Sequence, residues 1–89
     1  MSEWERMYHR AQRLKEQYKP GTRIECLSMA DPWSPIPEGT KGTVTSVDDA
    51  GTIHMRWDNG RTLGLIVGED AFRIIEQAPA AVVFIDSKA

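Results

Sequence analysis

Thr52-Ile53-His54-Met55-Arg56-Trp57-Asp58-Asn59-Gly60-Arg61-Thr62-Leu63-Gly64-Leu65 is the stretch on which the fold turns. Asn59-Gly60 between two alternating runs is a hairpin signal, and a two-residue turn is its commonest form. That turn would put Leu63 and Leu65 opposite Arg56 and His54, splitting the apolar set between two faces. A three-residue loop, Asp58-Asn59-Gly60, pairs Trp57 with Arg61, Met55 with Leu63 and Ile53 with Leu65. One face is then apolar throughout, and burial of one face is what fixes a strand register. The sequence therefore predicts the longer loop, with Gly60 at positive φ.

Working outward, the period stays at two. Upstream, Gly42–Val47 reads as a strand joined to Thr52–Trp57 through the turn residues Asp48-Asp49-Ala50-Gly51. Before it, Ile24 and Cys26 alternate with Arg23 and Glu25 in a first strand. Between these lies Asp31-Pro32-Trp33-Ser34-Pro35-Ile36-Pro37-Glu38-Gly39, where three prolines exclude both helix and central strand and predict a long ordered loop. Downstream, Val67–Phe72 reads as a short helical turn with Phe72 inward, and Arg73-Ile74-Ile75 as a closing strand. Strand, long loop, three-strand meander, helical turn and strand is the order of an SH3-like five-stranded barrel.

Ahead of the barrel, Ser2–Tyr18 reads as a helix. Ser2 and Glu5 form a capping box, and Trp4, Met7, Tyr8, Ala11, Leu14 and Tyr18 make one apolar stripe. So short a helix is marginal alone in water, so its stripe is expected on the barrel, with Trp4 as the anchor. Pro20-Gly21 ends it. The chain divides into a helix (residues 1–19), a barrel (20–76) and a tail (77–89). In the tail, Val82-Val83-Phe84-Ile85 is expected as an extra strand or a segment packed in cis, with self-association between copies as the alternative.

The stretches Gly21–Glu25, Met29–Trp33, Pro37–Val44 and Ile53–Gly60 together resemble domain-of-unknown-function family 4314, over roughly residues 19–76. Trp57-Asp58-Asn59-Gly60 by itself is also similar to Mib/Herc2-type and KOW-type barrels. The resemblance implies an SH3-like barrel and a setting in bacterial phages and mobile elements. It supplies no ligand and no catalytic residue.

Composition narrows the function classes. Eighty-nine residues allow one core, and a formal charge of −2 divides unevenly. Residues 1–19 carry five basic side chains against three acidic, and the remainder six against ten. An acidic barrel does not suit duplex DNA. No apolar run reaches the roughly 20 residues of a membrane span, and the start carries no export signal, so a cytoplasmic protein without membrane contact is expected. The single Cys26 has the inward parity of a buried, inert residue. His9 and His54 are far apart, so no metal site is expected, and Asp48-Asp49 has the make-up of a turn. With no phosphate loop or nucleophile elbow either, neither an enzyme nor a cofactor is expected.

Two surfaces remain. Asp31, Pro32, Trp33, Pro35 and Pro37 have the aromatic-and-proline make-up of a platform for extended peptides, and in SH3-like barrels this loop borders the ligand groove. The competing reading folds Trp33 back to plug one end of the barrel. Arg6, Arg10 and Arg13 form a row on the helix, which reads as a solvated face or as an alternative site for nucleic acid or another anion. The expected function is a protein-binding module, with a host machine as target in the mobile-element setting. The alternatives are a nucleic-acid accessory and an assembly protein.

Overall fold

The structure, a computed structural model, describes residues 2–78. One helix, α1 (Glu3–Gln17), precedes five strands: β1 (Arg23–Ser28), β2 (Lys41–Val47), β3 (Thr52–Trp57), β4 (Leu65–Ile66) and β5 (Ala71–Glu76). They form one antiparallel sheet in the order β4-β3-β2-β1-β5, the strand order of the expected SH3-like barrel. Register shifts at Arg23/Ile24, Cys26/Ser28 and Val44/Ser46 bend the sheet, as bulges do.

Inward and outward side chains alternate along β1 and β3, and on β2 the register shift at Val44/Ser46 moves the next buried position to Val47. Ile24, Cys26, Val44, Ile53, Met55, Trp57 and Leu65 are buried, and their sequence neighbours on β1 and β3 are not. The hairpin closes as a three-residue loop. Trp57 N–H donates to Arg61 O at 2.8 Å, Gly60 N–H donates to Trp57 O at 2.9 Å, and Gly60 has φ 91°. The left-handed Gly60 absorbs the extra position, in a region that glycine enters without strain. Ile53 pairs with Leu65 as expected. The ladder goes no further toward the turn, so the pairing of Met55 with Leu63 is absent. There the indole Nε1 of Trp57 donates to Leu63 O at 2.7 Å and stands in for a ladder bond.

Two other expectations need correction. Val67–Asp70 is a tight turn, not a helical turn, and the strand begins at Ala71. Asp70 and Glu69 N–H both return to Ile66 O, while the Asp70 carboxylate accepts Ile66 N–H, so the chain reverses at once into β5. Trp4 is not the helix anchor. The capping box forms, with Glu5 N–H on Ser2 Oγ at 3.1 Å and Ser2 N–H on Glu5 Oε1 at 3.0 Å. The buried helix residues, however, are Ala11 and Leu14, and Tyr18 packs edge-on against Phe72. The helix lies on the barrel by its second half, and Lys15 pairs with Asp49 at 2.6 Å. Trp4 is 69% exposed and stacks on Tyr8, with Met7 also exposed beside them. The tail segment Val82–Ile85 lies outside the described residues.

The turn between β2 and β3 shows what the paired aspartates do. Asp48 Oδ1 accepts the N–H groups of Ala50 and Thr52, and its Oδ2 lies 2.9 Å from His54 Nε2. The His54 ring first, then the Thr52 N–H, holds the Asp48 carboxyl below the usual aspartate range. A depressed carboxylate contributes stability that is complete above its unfolded pKa and is lost as pH falls through the folded one. Asp48→Asn is therefore expected to cost about 1 kcal/mol or less at neutral pH, because both groups are part-exposed. The cost should shrink below about pH 4. Urea unfolding of both proteins at neutral and acidic pH checks this, and a pH-independent difference would refute it.

Candidate functional site

The Ser28–Lys41 connection is long, yet it is held at several points. Cys26 N–H donates to Thr40 O and Gly39 N–H to Cys26 O, so the returning end of the loop runs beside β1. Asp31 Oδ1 accepts Trp33 N–H at 2.8 Å, an Asx turn that sets the bend at Pro32. From the hairpin, Arg61 Nη2 donates to Ser34 O at 2.7 Å and Nη1 to Pro35 O at 3.3 Å, gripping the loop's crest. Ile36 is 2% exposed. Its N–H donates to Met29 Sδ, and its carbonyl accepts the Cys26 thiol at 3.6 Å.

Ile36, then, is the residue that enters the core from this loop, and Trp33 is 90% exposed. The plug reading of Trp33 is overturned: a single apolar side chain is needed at that end of the barrel, and Ile36 fills it. Trp33 is left upright on a loop whose backbone is fixed on either side of it.

Beside Trp33 runs an open groove of about 320 Å³. One wall is Met29, Ala30, Asp31 and Pro32. The other comes from the far side of the hairpin and the β4–β5 turn, as Leu63, Gly64, Ile66, Glu69 and Asp70. Asp70 ties the walls together, because its Oδ1 accepts Ala30 N–H and its Oδ2 accepts Ile66 N–H, both at 2.8 Å. Of the five loop residues singled out from sequence, Asp31 and Pro32 line the groove. Trp33 follows Pro32 in the chain but is not a lining residue, and Pro35 and Pro37 are exposed farther along the loop. The second wall carried no sequence signal, since its residues lie 31 to 41 positions along the chain from those of the first.

Under the groove, Cys26 is fully buried, and burial first, then the charges of Asp70 and Glu38, push its thiol pKa up. A thiol so placed stays protonated and is a poor nucleophile. Behind the loop, Arg23 holds the Asp58 carboxylate in a two-pronged pair at 2.9 and 2.7 Å and also donates to Thr43 Oγ1. That pair fixes the Trp57-Asp58-Asn59-Gly60 turn and, through Arg61, the crest of the loop. Among the described residues no group of three His, Cys, Asp or Glu side chains is placed to hold a metal ion.

The arginine row is a real surface feature. Arg6, His9, Arg10 and Arg13 surround one shallow, exposed face of α1. Arg10 is partly committed, with Nη2 donating to Val67 O at 2.9 Å, which fastens the helix to the β4–β5 turn. No helix among the described residues is long and apolar enough to cross a membrane.

A family model described as a domain of unknown function, DUF4314, matches residues 7–75. The match starts inside α1, earlier than the motifs alone placed it. The part of the helix it takes in contains Ala11 and Leu14, which pack on the barrel, so helix and barrel form one unit. No curated protein matches the chain. Among solved structures, one described as unliganded Pif1 from Bacteroides sp. is similar at 28% identity with a TM-score of 0.43. The match covers 68% of this chain, and the chain spans 17% of the length of that one. So loose a superposition has no bearing on function.

Proposed function

The chain belongs to the DUF4314 family, and on that premise we propose that it is a protein-binding module without catalytic chemistry of its own, whose contact patch is Trp33 with the adjoining groove. The observation that carries this reading is the contrast between Trp33 and its support. The ring is 90% exposed, while Asp31, Arg61 and Ile36 pin the backbone around it. Holding a large aromatic in water on an ordered loop gains the isolated domain nothing. It suits an interface, where a Trp anchor supplies wide contact area and a fixed loop has little left to lose on binding. The partner we favour presents an extended segment, because the groove that begins at Pro32 is open and its two walls are tied together by Asp70. The setting in phages or mobile elements comes from the family resemblance alone, and a host machine as target is an analogy drawn from that setting.

Trp33→Ala tests the reading. Removing a side chain that touches so little is expected to leave the urea midpoint within the change of about 0.5 kcal/mol typical of surface substitutions. The same variant should lose peptides selected on the wild-type domain from a random display library. A variant that unfolds, or one that keeps every selected peptide, would refute the assignment.

A second reading, a nucleic-acid accessory, rests on the open face of Arg6, His9, Arg10 and Arg13. It is the weaker one, because three arginines reach only about three phosphates and Arg10 already serves the β4–β5 turn.

A further inference from the structure

The groove is not electrically neutral. Asp31, Glu69 and Asp70 line it, and among the described residues no lysine, arginine or histidine does. The ion pairs of the described residues lie elsewhere: Lys15 with Asp49, Arg23 with Asp58, His54 with Asp48 and Arg73 with Glu25. Three carboxylates line one concavity with no basic side chain among its described lining residues, which favours an incoming cation. Their hydrogen bonds to Ala30, Ile66 and Trp33 N–H groups use only part of the capacity of each carboxylate, which accepts at about four lone-pair sites. The field extends into the core, where Asp70 and Glu38 act on Cys26. The rest of the lining carries no charge and is mostly apolar, with Met29, Pro32, Leu63 and Ile66, and the exposed Trp33 follows Pro32 in the chain.

We propose that the groove takes an extended peptide segment in which a lysine or arginine adjoins an apolar or prolyl residue, with the cation between Asp31, Glu69 and Asp70 and the apolar residue against Pro32, Leu63 and Trp33. This rests on the protein-binding reading above and adds the chemistry of the partner. A cation there meets three carboxylates, and Trp33 offers its face to an arginine or lysine stem as well. A phosphodiester backbone would meet three negative charges in the same place, so nucleic acid is disfavoured at this face.

The test uses the peptides selected on the wild-type domain and lost by Trp33→Ala. They should be enriched in Lys or Arg, and their affinity should fall as salt is raised. Asp31→Asn with Glu69→Gln is the informative variant. Asn keeps the acceptor that bends the loop at Trp33 N–H, and Glu69 makes no side-chain hydrogen bond among the described residues, so the fold is left in place. Neutralising two exposed charges should weaken basic peptides about fivefold at low salt and flatten the salt dependence. Glu69→Lys should turn selection toward acidic peptides. Peptides that depend on Trp33 but are neutral or acidic, and are indifferent to the double variant, would overturn the charge inference and leave the binding module standing. If no peptide depends on Trp33, both fall. An oligonucleotide that binds the wild-type domain at this face and displaces the selected peptides would also overturn the inference.

Discussion

Trp57→Ala is expected to cost about 4 kcal/mol, most of the stability a domain of this size has. The side chain is 1% exposed and is the largest of the fully buried ones. It touches three parts of the barrel at once. One face of the ring lies on β2 at Gly42, so close that a Cβ there would meet Cε3 at 2.6 Å and Arg56 O at 3.0 Å. Its Nε1 donates to Leu63 O at 2.7 Å, the bond that replaces the ladder before β4 begins. Its own N–H closes the hairpin on Arg61 O, next to the point where Asp58 N–H reaches Lys41 O. Alanine would leave a cavity against the backbone of Gly42, and backbone collapses poorly into such a space. Leu63 O would also lose its donor. Trp57→Phe separates the terms, since it keeps most of the apolar contact and loses the hydrogen bond, and about 1–2 kcal/mol is expected. Urea midpoints of the two variants by circular dichroism check the pair. A loss below about 1.5 kcal/mol for alanine would mean that the ring does not hold β2 and the Leu63 segment together.

That residue also marks how far sequence reasoning reached. Trp57 was legible because it ends an alternating series, and Ile53 and Leu65 could be placed opposite each other because only one turn length kept the apolar set on one face. The capping box was legible for a similar reason: both of its bonds span three residues. Contacts set by distant parts of the chain were not. Inside a loop with three prolines no period links sequence to facing, so nothing in the sequence favoured Ile36 over Trp33 as the residue to be buried. The space left between Cys26 and Met29 decided it. The helix stripe misled in another way. Its period is continuous from Trp4 to Tyr18, but the barrel ends near the β2–β3 turn, where Gly51 sits under Leu14. Residues up to Tyr8 overhang that edge, and a helical pattern contains no information about the length of the surface it lands on.

The same limit hid the groove's second wall, and Asp70 is the residue that exposes it to experiment. Asp70→Ala is expected to cost about 2–3 kcal/mol, the upper part of the range for part-exposed hydrogen bonds to a charged acceptor. Both carboxylate oxygens are engaged with backbone donors, Ala30 N–H on one side and Ile66 N–H on the other. Water can reach these sites, which keeps the cost below that of a fully buried network. The local consequence should exceed the global one. Without the carboxylate, the Met29–Pro32 segment loses its tie to the β4–β5 turn, whereas Arg61 still grips Ser34 and Pro35 and Ile36 stays in the core. Amide hydrogen exchange should therefore accelerate at Ala30 and Ile66 well before it does at Ile53 or Val44. Peptides that need Trp33 should weaken even under conditions where the variant is folded, because one wall of their groove is no longer held against the other. Asp70→Asn keeps one acceptor but turns an NH2 toward the other backbone donor, so it should fall between aspartate and alanine in stability. If Ala30 and Ile66 exchange no faster in the alanine variant, Asp70 does not join the two walls, and the groove is shaped by the loop alone.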